Sequence, residues 1–134
     1  MNDKQKRVLV SALSEVEKMM GDLERLLSVP SIKEGVFSAF SEPVSGKKSK
    51  ELTLKIPEFK SNLKKIRDRF ALDKETESIR NKCSSLIAGI WILLEEVKSK
   101  NLKGYGAVSK EDAKNIDELL NGLINQINKF KITP

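Results

Sequence analysis

Histidine is absent from all 134 residues of this sequence. Its absence excludes hydrolases that use a histidine base, zinc sites with histidine ligands and di-iron bundles built on Glu-x-x-His motifs. The single cysteine, Cys83, excludes an internal disulfide, and it occupies a position on the apolar face of a predicted helix, where a thiol is typically buried and inert. We therefore predict a protein that is not an enzyme and has no catalytic residues, no cofactor and no metal.

Aromatic residues and long apolar runs are also scarce. Aromatic residues make up 5% of the sequence, which disfavours a platform on which bases stack. The longest run without a charged residue, residues 83–94, has 12 positions, whereas a helix needs about 20 to span a bilayer. With no signal-peptide pattern and one cysteine, the sequence predicts a cytoplasmic protein without membrane insertion.

Three long stretches carry apolar residues at alternating spacings of three and four, the pattern of helices that bury one face. We call the apolar residues on the buried face of such a helix its seam. The three seams are Leu9, Leu13, Val16, Met20, Leu23 and Leu27; Ile79, Cys83, Leu86, Ile90, Leu93 and Val97; and Ala113, Ile116, Leu120, Leu123, Ile127 and Phe130. The first predicts a helix over about residues 3–28, which Pro30 ends. Asp73 and Ser109 are the predicted N-caps of the second and third helices.

A fourth, shorter helix is predicted after Pro57, because proline is favoured at a first helical position. Its seam is Phe59, Leu63, Ile66 and Phe70. The connection 29–56 before it is ambiguous. Ser31 and Glu34 resemble a capping box that opens an extra short helix, while the alternation in residues 51–56 is typical of a strand in a small β-hairpin. An irregular loop is the third alternative.

These patterns predict an all-α fold. The four helices, three long and one short, form an antiparallel four-helix bundle, with either a small hairpin or an extra short helix in the connection 29–56. The whole chain, residues 1–134, is predicted to be one domain.

Positive charge is concentrated in one segment. Residues 43–72 carry nine basic and three acidic side chains, a net +6, which equals the formal charge of the whole chain. This basic patch is either the solvated side of a helix or a surface for an acidic partner, and among such partners RNA or DNA is the leading one. The candidate polyanion-binding residues are Lys47, Lys48, Lys50, Lys60, Lys64, Lys65, Arg67 and Arg69.

The second long seam belongs to a helix that is apolar on more than one side. Ile87, Trp91 and Ile92 point away from the seam, and Ser85 and Gly89 are small residues four apart. A helix of this kind is buried on most sides. It is either the central helix of the fold or an interface in a homodimer, with Ile87, Trp91 and Ile92 as the candidate self-association residues.

We therefore predict a non-enzymatic, self-associating helical module for protein–protein interaction, whose partner is a second copy or another protein. The alternative is a nucleic-acid-associated protein that contacts phosphates through residues 45–70. A third hypothesis, a carboxylate-dependent enzyme, requires an enclosed pocket with converging carboxylates.

Overall fold

A computed structural model of the protein describes residues 1–28 and 34–131. These residues form helices and loops without any β-strand, so the prediction of an all-α fold is confirmed. The helices are α1 (Asp3–Leu27), α2 (Gly46–Arg69), α3 (Ile79–Glu96), α4 (Ser99–Leu102) and α5 (Lys110–Ile127), with a 3-10 turn at Lys103–Tyr105. The chain divides into two compact units, residues 1–75 and 76–134.

In the first unit, α1 begins at a reciprocal cap. The side chain of Asn2 accepts a hydrogen bond from the backbone N–H of Gln5 (2.8 Å), and the side chain of Gln5 accepts one from the N–H of Asn2 (3.0 Å). This satisfies two N–H groups that have no partner inside the helix. The bounds of α1 agree with the prediction within one residue. Pro30 and Ser31 lie outside the described residues, and so do the predictions made for them.

The predicted short helix is wrong in length. α2 has 24 residues, begins after the N-cap Ser45 and runs through Pro57, so residues 51–56 are helical and no hairpin forms. Leu52 and Ile56 extend the seam of Phe59 and Leu63 at the same helical spacing. A proline inside a helix removes one backbone hydrogen bond, and the longer seam outweighs that loss. Residues 34–45 contain no extra short helix.

Helices α1 and α2 pack in antiparallel fashion. The hydroxyl of Ser49, near the start of α2, donates a hydrogen bond to the carbonyl of Leu27 at the end of α1 (2.6 Å). At the other end, Val10 of α1 lines a groove with Leu63 of α2. The buried apolar residues of this unit are Leu27, Ile56 and Leu72.

In the second unit, both long helices begin at serine caps. Ser78 accepts a hydrogen bond from the N–H of Asn81 (3.2 Å), and Ser109 accepts one from the N–H of Asp112 (3.1 Å). The predicted cap Ser109 is confirmed. The predicted cap Asp73 is wrong, because α3 begins five residues later than that cap implies and Ser78 takes its place.

Helices α3 and α5 are also antiparallel. Ile87 in the middle of α3 lines a groove with Ile127 at the end of α5, and Ser99, just beyond α3, contacts Asp117 in the first half of α5. The buried apolar residues of the unit are Leu120, Ile124 and Ile127, all in α5. α3 contains no buried residue, so the second unit by itself does not bury the helix that the sequence suggested as central.

Candidate interaction surfaces

The basic segment is one continuous helix. α2 carries nine basic and three acidic residues, so its net charge is 9 − 3 = +6. Lys47, Lys48 and Lys50, which the sequence placed in the ambiguous connection 29–56, lie in its first turns. The eight candidate polyanion-binding residues therefore share a single rod, about 36 Å long at the usual helical rise.

Three of the eight candidates are paired with carboxylates. Lys48 Nζ lies 3.6 Å from Glu51 Oε1, and Arg67 Nη2 lies 3.2 Å from Asp68 Oδ1. Lys60 Nζ reaches across to α1, 3.3 Å from Glu24 Oε1. Surface ion pairs of this kind contribute only about 0–1 kcal/mol. Their main effect is to neutralise three of the predicted cations.

The other five candidates are exposed and have no carboxylate oxygen within 4.0 Å among the residues that the structure describes. They are Lys47, Lys50, Lys64, Lys65 and Arg69, and we call this set the outer face of α2. At 100° per residue they fall within an arc of about 140°. The seam that includes Ile56 and Leu63 and contacts α1 lies on the opposite side. The structure thus divides the predicted set into an unpaired outer face and a paired remainder.

Lys60, Lys64 and Arg67 lie together at the edge of α2 that borders α1. They line a groove whose other wall includes Glu17, and Leu63 contributes an apolar side chain. Because this groove holds charges of both signs, it is a poor site for a simple anion. Lys64 belongs both to this groove and to the outer face.

The three candidate self-association residues differ in exposure. Ile87 is half-buried against α5. Trp91 and Ile92 are 42% and 48% exposed and line a shallow groove with Glu95 and Lys100. Trp91 also borders the groove that Ile87 lines at the end of α5. We call Trp91 and Ile92 the α3 patch.

The seam of α3 is exposed as well. Leu86 and Leu93 are 60% and 63% exposed, because α5 contacts the flank of α3 that carries Ile87 and not the predicted seam. α5 buries three apolar residues and leaves others, such as Leu119 and Leu123, exposed. α3 buries none and is apolar on several sides, of which α5 covers only one. α3 therefore has more apolar surface than this pairing uses.

One polar contact was not predicted from the sequence. The backbone N–H of Ser99 donates to Oδ1 of Asp117 (2.8 Å), and the buried Ser99 hydroxyl donates to Oδ2 (2.5 Å). The Ser99 hydroxyl, followed by its backbone N–H, lowers the pKa of Asp117 below the ordinary 3.8, because both bonds favour the charged carboxylate. Eighteen positions separate the two residues, so no local motif signals the contact. It ties the start of α4 to α5.

The described part of the chain has neither a metal-binding cluster nor a membrane-spanning helix. Residues 1–28 and 34–131 contain no group of three or more Cys, Asp or Glu side chains that are placed to hold a metal ion. No helix in these ranges has the length and apolar character needed to cross a membrane. That the protein is not an enzyme stays a prediction.

No protein-family model, curated protein or solved structure matches the chain.

Proposed function

We propose that this protein is a non-enzymatic helical interaction module that self-associates through the α3 patch. The observation that carries the proposal is that α3, the most apolar helix of the chain, contains no buried residue and presents Trp91 beside Ile92 at its surface. Tryptophan is enriched among the residues that dominate binding energy at protein interfaces. Contiguous exposed apolar residues are typical of interaction surfaces.

The surroundings of the α3 patch favour a second copy as the partner. Glu95, Glu96 and Lys100 border the same groove, so the patch has an apolar centre and a polar rim, as protein interfaces do. In a two-fold dimer the same patch meets itself. Because the rim carries both signs of charge, the lysine of one copy can approach the glutamates of the other.

For the chain as a whole we propose the predicted antiparallel four-helix bundle, a single domain that spans residues 1–134. Its support is that both units are antiparallel helix pairs, and that each leaves seam residues such as Leu23 and Leu86 exposed. Exposed apolar seams are costly in water and favour packing against a further apolar surface.

Denaturation tests this arrangement, because the only tryptophan and the only tyrosine, Trp91 and Tyr105, both belong to residues 76–134. Their fluorescence reports on the second unit, whereas circular dichroism reports on all helices. One cooperative domain gives coincident urea transitions by both probes. Transitions at different urea concentrations would show two independent domains and contradict the bundle.

Sedimentation velocity over a concentration series tests the self-association. We expect a dimer at high micromolar concentration and a monomer for Ile92→Glu, since a buried unpaired carboxylate opposes association. The matched control is Leu54→Glu, which makes the same change at an exposed apolar position of α2 and should leave the dimer intact. A wild-type monomer at every concentration, or equal loss in both variants, would show that the α3 patch is not the interface.

A further inference from the structure

We propose that the outer face of α2 binds the phosphate backbone of double-stranded nucleic acid without reading its sequence. The inference rests on the five unpaired cations of that face, Lys47, Lys50, Lys64, Lys65 and Arg69. It is independent of the α3 patch, which lies in the other unit. Unpaired lysine and arginine side chains on one side of a helix are the electrostatic footprint of a polyanion site.

The spacing of the five cations favours a duplex. They form two groups, Lys47 with Lys50 near the start of α2, and Lys64, Lys65 and Arg69 near its end. Fourteen residues separate Lys50 from Lys64, which is about 21 Å along a helix. Long, flexible side chains at that separation can contact the phosphates on both sides of a major groove about 12 Å wide. All three acidic residues of α2 lie within the same arc. Glu51 is paired with Lys48 and Lys55, Asp68 is paired with Arg67, and Glu58 lies between the two groups, where the groove would be open.

The apolar residues of α2 argue against other polyanions. Single-stranded nucleic acids are bound by cations together with aromatic side chains on which bases stack, but Phe59 belongs to the seam on the α1 side. A helix that binds a membrane surface inserts a broad apolar face, and the only large apolar residue among the cations of the outer face is Leu54. Phosphate contact alone is what this face provides.

The proposal predicts a steep salt dependence. When a protein neutralises Z phosphates, the logarithm of its affinity for duplex DNA falls with the logarithm of salt concentration with a slope of about −0.9Z. Five contacts correspond to a slope of about −4.5, or about a 500-fold loss of affinity between 50 and 200 mM salt. Fluorescence anisotropy with a labelled 20-base-pair duplex of arbitrary sequence measures this slope.

Two double variants of equal charge locate the surface. Lys64→Ala with Lys65→Ala removes two cations of the outer face, and the slope should weaken by about two units. The control, Lys48→Ala with Lys55→Ala, removes two lysines that pair with Glu51 and should leave the slope nearly unchanged. Alanine favours helix at all four positions, and circular dichroism checks that the helical content is retained.

Several outcomes would overturn the proposal. One is the absence of binding to the duplex, and another is an affinity that does not depend on salt. A third is an equal change of slope in both double variants, because it would mean that only the net charge of the protein matters. Tighter binding to a single strand of the same length, to polyglutamate or to vesicles of anionic lipid would assign the outer face to a different partner. The proposal is supported if the protein binds the duplex more tightly than all three, and if the slope weakens only in Lys64→Ala with Lys65→Ala.

Discussion

The two antiparallel pairs of this protein, α1 with α2 and α3 with α5, are built from helices that differ in how many of their sides are apolar. In the first, α1 and α2 are strongly charged, and each has one apolar seam that faces the other helix. In the second, α5 has a single seam and buries Leu120, Ile124 and Ile127, while α3 is apolar on several sides and buries nothing. A helix with one apolar stripe can be satisfied by one neighbour, whereas a helix that is apolar all round cannot.

The polar contacts between helices also differ between the two pairs. Ser49 donates a single hydrogen bond to the end of α1, and the ion pair of Lys60 with Glu24 is exposed to solvent on both sides. In the second pair, Ser99 donates two hydrogen bonds to one carboxylate. The second pair therefore has a contact that depends on the charge of Asp117, and it should respond to pH through that contact.

Replacing an isoleucine by alanine should destabilise the protein much more in α5 than in α3, and this is the largest difference that we expect. Ile124 is 7% exposed, and Ile92 of the α3 patch is 48% exposed. Ile124→Ala should lower the free energy of unfolding by about 2–5 kcal/mol, because it leaves a cavity. Ile92→Ala should lower it by less than about 1 kcal/mol, because its side chain is only partly buried in the monomer.

Urea unfolding followed by Trp91 fluorescence measures both changes, at protein concentrations that keep the chain monomeric. An equal loss of stability in Ile92→Ala and Ile124→Ala would mean that the α3 patch is buried in the folded monomer, which would contradict the difference between α3 and α5.

Acid should weaken the contact between Ser99 and Asp117. The folded state lowers the pKa of Asp117 below 3.8, so its carboxylate stabilises the fold fully above that value. The contribution is lost as the pH falls through the lowered pKa of the folded state. Asp117→Asn should remove this acid-dependent part of the stability and lower the unfolding midpoint at neutral pH.

Urea midpoints from about pH 2 to pH 7 follow this titration. The control is Glu118→Gln, a neighbouring acid on α5 that is exposed. A midpoint that falls equally with acid in wild type and Asp117→Asn would show that the contact does not stabilise the second pair.

The smallest expected effect comes from two glycines inside helices. A Cβ added at Gly89 in α3 or at Gly122 in α5 would meet no atom within 4 Å. Replacing either glycine by alanine should therefore stabilise the monomer by about 0.5–1 kcal/mol, the usual difference in helix propensity. Thermal unfolding of Gly89→Ala and Gly122→Ala at low concentration measures it. A loss of stability in Gly89→Ala alone would mean that another group packs closely against α3 in the folded chain.

Local signals explain which parts of the fold were predictable. The bounds of α1 follow from an uninterrupted seam. The start of α5 follows from the N-cap Ser109 and from the acidic residues that come directly after it in the first turn. α2 was predicted too short, because Pro57 resembles a helix start and Leu52, Leu54 and Ile56 alternate like a strand. The residues that decide the matter, Leu52 and Ile56, fit both periods, and only their place in a longer seam distinguishes them.

The candidate surfaces were predictable in composition but not in detail. The sequence indicated that positive charge collects in residues 45–70 and that α3 has apolar residues beyond its seam. It did not indicate that Lys60 pairs with Glu24, thirty-six positions away, or that Ile87 packs against α5 while Ile92 does not. The contact between Ser99 and Asp117 was missed for the same reason.

The sequence by itself determined that this chain is helical, where α1 and α5 begin, and which helix carries the excess charge. These properties depend on caps and spacings within a few residues. Only the tertiary structure decided which cations remain unpaired and which apolar residues are buried. Pairing and burial depend on distances between residues far apart in the chain, and those distances exist only once the helices have packed.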